Sequence, residues 1–373
     1  MVISKLCQRW IVRRWIVRQW IVWFLPALFV PIAAAQEYTV TALGALSGFT
    51  SSYADDNNDS GLVTGCTDNS VYPTVPCTTN IPADAFLWSG ANGMQNLGSL
   101  PGDDMSIGYV VNNSGAVVGF SGDSKTGGGH AFYWTQSGGM VDLGTLIGSN
   151  GYSIGEAITS SGIIVGASTV TNGDVHAVLW TMRDGTYHIE DEGHLPKAPY
   201  TYPSDINEKQ QVVGTAYFNE KGTKYQAFLW SKAAGWKDLG TLAGGTNSYA
   251  VWMNNSGVSV GDSTSTEYPN GVVVYWDASG TIHSIGTLPG GTSSAPGFIN
   301  DSGEIFGDST VTGGADHAFI WTESKGMRDL NNMIPKNSGW VLHHASSINS
   351  SGQIVGYGTY NGENQAFLLT PKT

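Results

Sequence analysis

One short motif, Gly-x-x-Val-Gly or a near copy, recurs down the chain and dictates its architecture. Its last glycines are Gly65, Gly119, Gly166, Gly214, Gly261, Gly307 and Gly356, at steps of 54, 47, 48, 47, 46 and 49 residues. Four residues before each stands Gly61, Gly115, Gly162, Gln210, Gly257, Gly303 or Gly352. Turn formers precede most of these, as in Asn58-Asp59-Ser60, Asn112-Asn113-Ser114 and Asn300-Asp301-Ser302. Such residues tolerate left-handed backbone and bond their own turn, so each copy predicts strand, tight turn, strand. The Asn-x-Ser matches at Asn58, Asn112, Asn254, Asn300 and Asn349 are read as this turn chemistry rather than as glycosylation.

A third element follows in every copy, such as Ala85-Phe86-Leu87-Trp88, His130-Ala131-Phe132-Tyr133-Trp134 or Gln365-Ala366-Phe367-Leu368-Leu369. It predicts a buried, aromatic-rich strand. The fourth element is read from Asn96-Leu97-Gly98-Ser99-Leu100, Asp142-Leu143-Gly144-Thr145-Leu146, Asp238-Leu239-Gly240-Thr241-Leu242 and Ile285-Gly286-Thr287-Leu288. Four strands in roughly 47 residues is the size of a propeller blade. The last copy stops after its third strand, and Ala42-Leu43-Gly44-Ala45-Leu46 supplies the missing pattern at the other end. The expectation is an all-β, seven-bladed β-propeller closed by the N-terminal strand of the mature chain. A small or compact residue recurs in each first strand (Ala54, Gly108, Gly155, Pro203, Ala250, Pro296, Ala345), as a crowded axis requires. A parallel β-helix is the alternative, and Pro in two first strands weighs against it.

His-Ala-Phe-Tyr-Trp at 130–134 and His-Ala-Phe-Ile-Trp at 317–321, each followed by a Leu-Gly or related strand, resemble the HAF-repeat family of exported bacterial repeat proteins. The resemblance covers about residues 38–370. Gln226, Gln365, Asp84 and Val272 depart from its histidine. It implies export and repetition and transfers no catalytic residue.

Residues 1–35 differ from the rest. Five bases without an acid, an apolar run from Trp20 to Val30 and Ala33-Ala34-Ala35 form a secretory signal with cleavage expected after Ala35. Residues 36–373 are then the repeat domain. Arg13-Arg14 also resembles a twin-arginine motif, so the export route stays open. The whole chain carries 17 bases and 30 acids, a net of −13. That balance excludes a sustained basic surface and so a nucleic-acid partner. No later apolar run is long enough for a membrane span. Secretion or a periplasmic address and a monomer are expected. In an oxidising compartment Cys66 and Cys77 pair as a disulfide.

His130, His176 and His317 recur at one repeat position, which points to structural hydrogen bonds between blades. Unique function belongs where the repeat is broken. Three such places stand out. The first is the insertion Cys66–Pro82, with Asp68 and Tyr72. The second is Tyr187–Tyr202, with Tyr187, His188, Glu190, Asp191, Glu192, His194, Lys197, Tyr200 and Tyr202. The third contains Trp340, His343 and His344. Acids beside tyrosines suit a glycan or peptide ligand, since rings stack and carboxylates accept hydroxyls. The first expectation is a binding module for a glycan, a cell-envelope polymer or a protein. The alternatives are a secreted polysaccharide hydrolase or lyase and a structural extracellular protein. No catalytic residue or metal ligand set is assigned and no cofactor is expected, with calcium at Asp262 and Asp308 as the alternative.

Overall fold

The computed structural model describes residues 37–70, 77 and 81–372. The signal segment, Tyr72 and much of the Cys66–Pro82 insertion lie outside the described residues. Within them the chain is all β apart from one 3-10 turn at Leu330–Asn332. Among the described residues no helix is long and apolar enough to cross a membrane.

The strands follow the repeat. β1 (Tyr38–Ala42) is a lone segment. Then come β2 (Ser51–Asn57), β3 (Val63–Asp68), β4 (Asp84–Ser89) and β5 (Gly93–Asn96), and next β6 (Met105–Val111), β7 (Val117–Gly122), β8 (Gly129–Thr135) and β9 (Gly139–Asp142). The third unit is β10 (Ser153–Ile158), β11 (Ile164–Thr169), β12 (Val175–Arg183) and β13 (Thr186–Gly193). The fourth is β14 (Tyr200–Ile206), β15 (Gln211–Tyr217), β16 (Tyr225–Ser231) and β17 (Gly235–Asp238). After it run β18 (Ser248–Met253), β19 (Ser259–Ser263), β20 (Val272–Trp276) and β21 (Ile282–Gly286), then β22 (Ser294–Ile299), β23 (Ile305–Thr310), β24 (Asp316–Thr322) and β25 (Gly326–Asp329). The last three are β26 (Trp340–Ile348), β27 (Ile354–Tyr360) and β28 (Glu363–Pro371). Each unit is an antiparallel meander of four strands. A single parallel pair, Val175 with Tyr200, joins the third unit to the fourth. β1 pairs antiparallel with β28, Val40 opposite Leu369, and completes the final sheet.

The recurrent glycine of Gly-x-x-Val-Gly has a steric cause. Every first strand shifts register in its middle, as between Ala54 and Asp56 or Gly108 and Val110. The shift drops a backbone carbonyl onto the second strand. A Cβ at Gly65, Gly119 or Gly261 would collide with the carbonyl of Tyr53, Ile107 or Tyr249. The small residue of the first strand answers to its neighbours in turn: a Cβ on Gly155 would strike Val118 of the preceding sheet.

The Leu-Gly-Thr-Leu pattern is not the fourth strand, which corrects the sequence reading. The strand ends on its first residues, at Asn96, Asp142 and Asp238 and in the fifth sheet at Gly286, and the rest of the pattern is the exit from it. Gly98, Gly144, Gly240 and Gly286 have φ of 71 to 75°, which ends a strand. Leu97, Leu143 and Leu239 then turn inward and are buried. Serines of the next sheet clasp this exit. Ser106 Oγ accepts from Ala85 N at 2.9 Å and donates to Gly98 O at 2.7 Å, and Ser121 Oγ accepts from Leu100 N. Ser153, Ser248 and Ser294 repeat the arrangement.

Cores lie between successive sheets. Ala85, Leu87 and Leu97 of one sheet pack with Val111, Val117, Phe132 and Trp134 of the next. The last sheet packs on the first in the same way, through Val355, Ala366 and Leu368 against Ala54, Val63 and Phe86. The turn asparagines add a polar ladder. Asn58 Oδ1 accepts from the amides of Ser60 and Leu62, while its Nδ2 donates to Asn112 O in the next sheet. Asn254 donates likewise to Asn300 O, and Asn349 to Asn58 O.

Candidate ligand-binding site

The second sequence-derived place opens as a strand, continues as a connector over 194–199 and ends in the next first strand. β13 runs alongside β12 over Thr186–Gly193, so its side chains alternate between two faces. Glu190 and Glu192 share one face. Glu190 pairs with Arg183 and lies 3.5 Å from Lys232 Nζ, and Glu192 lies 3.9 Å from the same amine. Burial raises the Glu192 carboxyl above its usual range against the pull of Lys232. Asp191 takes the other face and accepts from His176 Nδ1 at 2.8 Å. His188 meets Thr186 Oγ1 at 3.2 Å, and His194 donates to Leu195 O and packs on His176. Tyr200 and Tyr202 belong to the buried core, Tyr202 at 2% exposure. These two rings therefore do not join the strand's carboxylates at a common surface, because the first strand of the next sheet carries them inward. Lys197 stands exposed in the connector.

The recurrent histidines bond first to an aspartate of their own sheet, and His130 bonds also to the backbone of Gly151 at the entry to the next sheet. His130, His176 and His317 each donate Nδ1 at 2.8 Å to Asp142, Asp191 or Asp329 on the adjacent fourth strand. The first sheet swaps the chemistry, with Asn96 Nδ2 donating to Asp84 at 2.6 Å. The aspartate raises the His130 and His317 imidazoles above their ordinary value.

The third place is also interior. Trp340 is stacked on Tyr360, with centroids 5.0 Å apart. His343 is buried: Nδ1 donates to Asp316 O at 3.1 Å and Nε2 accepts from Thr359 at 2.8 Å. Burial lowers its imidazole below the ordinary value. His344 reaches into the neighbouring sheet, donates Nδ1 to Asp308 at 2.6 Å and stacks on Tyr357. Asp262, at the equivalent position one sheet earlier, packs its carboxyl on Gly271, and burial raises it well above its usual range. Among the described residues no group of three or more His, Cys, Asp or Glu gathers to hold a metal. Cys66 and Cys77 are disulfide-bonded, with Cα atoms 6.3 Å apart, and Asp68 Oδ2 accepts from Cys77 N at 2.9 Å.

A site that the sequence reading missed lies between the fifth and sixth sheets. It is a groove of about 690 Å³ at the end of the sheets where the tight turns sit. Its apolar floor is Val258, Ile299 and Ile305, and its walls are Tyr275 and Trp321. Ser302, Gly303, Glu304, Glu323 and Ser324 form the rim. Tyr275 stacks on His283 at 4.7 Å and tilts against Trp321 at 5.7 Å. Burial and the nearby Glu323 and Asp277 charges raise its phenol above the ordinary value. Asn300 Nδ2 orients Glu304 by donating to Oε2 at 2.8 Å. The turn Asn300-Asp301-Ser302-Gly303 and the strand end Trp321-Thr322 are standard repeat positions, so no local signal marks them. Half-buried rings with carboxylates around an apolar floor suit a ligand that is part ring and part hydrogen-bond donor.

No protein-family model and no curated protein matches the chain. Solved structures do. The β-propeller domain of the Trilobed protease from Pyrococcus furiosus matches with a TM-score of 0.52 at 9% identity, over 86% of this chain and 98% of that one. A puromycin-hydrolyzing peptidase of Mycobacterium tuberculosis matches with a TM-score of 0.52 at 10% identity, over 87% of this chain and about half, 53%, of that one. Virginiamycin B lyase from Staphylococcus aureus matches with a TM-score of 0.49 at 12% identity, over 90% and 99%. At such identities the likeness shows the fold alone, and that fold is a β-propeller.

Proposed function

We propose that the chain is an exported, seven-bladed β-propeller, an HAF-repeat protein, that acts as a non-enzymatic binding module. Its ligand is a glycan, a cell-envelope polymer or a protein. Ring closure is part of this reading. The β1–β28 pairing supports it, as does the bond from Asn349 in the last sheet to Asn58 in the first. Cleavage after Ala35 would release the domain to the periplasm or the medium as a monomer. The disulfide is compatible with that address.

The groove lined by Tyr275, Trp321, Glu304 and Glu323 carries the reading. The acids of β13 support it less, because Arg183, Lys232 and His176 already engage them. The test is calorimetry of the protein against bacterial and plant polysaccharides and envelope proteins, with and without calcium. Heat that saturates at fixed stoichiometry and vanishes in a groove variant supports the module. A steady heat of turnover overturns it. A triple Glu190, Asp191, Glu192 variant that leaves binding intact would confine the ligand to the groove.

A polysaccharide hydrolase is the second reading, and one observation favours it. Asp56 and Asp205 are both buried, their carboxyls raised to about 6 and about 7, and the Asp56 charge adds to the rise at Asp205. Carboxyls that titrate near neutrality suit general-acid chemistry. Here each is also spent on a backbone amide of the next sheet.

A further inference from the structure

The repeat supplies an internal counterpart of the groove, and there the space is filled. Between the second and third sheets, Tyr133 stands where Tyr275 stands, Gly162 where Gly303 does, and Trp180 where Trp321 does. Ile158 replaces Ile299 on the floor. The Tyr187 side chain occupies this space. Its ring meets Tyr133 edge-on, with centroids 5.0 Å apart, and its hydroxyl donates to Gly162 O at 3.1 Å. Tyr187 reaches it because β12 and β13 are long, at nine and eight residues. In the sixth sheet β25 has four residues, and no tyrosine follows the turn. The turn itself is preserved: Gly303 and Gly162 have φ of 79° and 87°, and each donates its amide to the residue three before it.

Three lining positions differ in kind. Ile163 becomes Glu304, Met182 becomes Glu323, and Arg183 becomes Ser324. An apolar plug needs apolar neighbours, whereas an open groove with two carboxylates and no lining base favours a positively charged occupant.

We infer that the groove between the fifth and sixth sheets binds a tyrosine side chain of a basic polypeptide segment. The inference rests on the binding-module reading and deepens it. The ring enters beside Tyr275 and Trp321, and its hydroxyl donates to the carbonyl of Gly303, as Tyr187 does to Gly162. Flanking lysines or arginines meet Glu304 and Glu323.

The test is titration of the full chain with capped Lys-Tyr-Lys, and with its Phe and Ala counterparts, followed by calorimetry. A chito- and cello-oligosaccharide panel runs in parallel. The Tyr peptide is expected to saturate at one per chain. The Phe peptide should bind at least threefold more weakly, and the Ala peptide at least tenfold. Ser302→Trp, which fills the groove from an exposed turn position, should abolish binding. Glu323→Lys, fully on the surface and independent of the folding of that turn, should weaken it at least fivefold at low salt. Equal affinity for the Tyr and Ala peptides overturns the inference, as does binding that survives Glu323→Lys at low salt. Saccharide binding that Ser302→Trp removes, with no peptide binding, overturns the inference and leaves the module standing. Silence from every ligand overturns both.

Discussion

Titrating two buried aspartates offers the sharpest check on how the sheets are held together. Asp205 is the second-last residue of the first strand of the fourth sheet, at 4% exposure. Its Oδ1 accepts from Ile206 N and its Oδ2 from Met253 N, both at 2.8 Å. The latter bond crosses to the fifth sheet. Asp56 does the same in the first sheet, accepting from Val111 N at 3.0 Å and from Ser347 Oγ at 2.7 Å. Burial outweighs these bonds and raises the two carboxyls from 3.8 to about 7 and about 6. A folded state with raised carboxyl pKa values binds more protons than the unfolded chain. Stability is therefore greatest below the ordinary carboxylate value and falls as pH rises through the folded values. At about 1.4 kcal/mol per unit, Asp205 alone costs about 4 kcal/mol between pH 4 and pH 8. For a domain of this length that is about 6 °C of Tm. His130 and His317 act in the same direction: their raised imidazoles stabilise the fold below their ordinary value, and that contribution is lost above it. Asp205→Asn keeps one acceptor and removes the titration. It should be less stable than the parent at pH 4.5 by about 1 kcal/mol, the cost of one lost hydrogen bond. At pH 8 it should be more stable. Thermal unfolding followed by tryptophan fluorescence from pH 4.5 to 8.5 should therefore give two crossing curves. A parent whose Tm holds level or climbs across that range would refute the reasoning, and so would a variant that keeps the full slope.

The remaining predictions concern single contacts. Tyr187→Phe removes the hydroxyl bonded to Gly162 and should cost about 1 kcal/mol in denaturant unfolding. Tyr187→Ala also loses the packing on Tyr133 and should cost about 3 kcal/mol. Replacing Cys66 and Cys77 together by serine reopens a short loop and should cost about 2 to 3 kcal/mol, read as a fall in the urea midpoint. His344→Ala strips Asp308 of its imidazole partner in the interior and should cost about 3 kcal/mol at pH 7. Urea unfolding of the variant beside its parent measures this, and an unchanged midpoint would count against that account.

Strand count, turn positions and order of the repeat were legible because each rests on neighbours in sequence. Asn300-Asp301-Ser302-Gly303 makes its turn from its own side chain and its own glycine. The Leu-Gly-Thr-Leu pattern was visible but misassigned. Its glycine ends the strand, and its purpose appears only when Ser106 and Ser121 of the next sheet close on it. The acids of β13 looked free because their partners come from elsewhere, Arg183 and His176 from β12 and Lys232 from the turn after β16. Tyr200 and Tyr202 looked like surface rings because they follow an irregular stretch, yet they open a first strand and point inward.

By itself the amino-acid sequence determined an all-β chain of repeated four-strand units, the end strand that completes the last of them and the cysteine pair. Those are consequences of periodicity, turn stereochemistry and redox pairing, and each can be read within one repeat. Tertiary structure alone decided which side chains were consumed in bonds across the sheets and which surfaces stayed open. Tyr187 and the groove at Tyr275 and Trp321 make the case: equivalent frames, one filled and one vacant, differ through the length of the hairpin beside each, long at β12–β13 and short at β24–β25. No local rule connects those two places, because what relates them is the packing of successive sheets side by side.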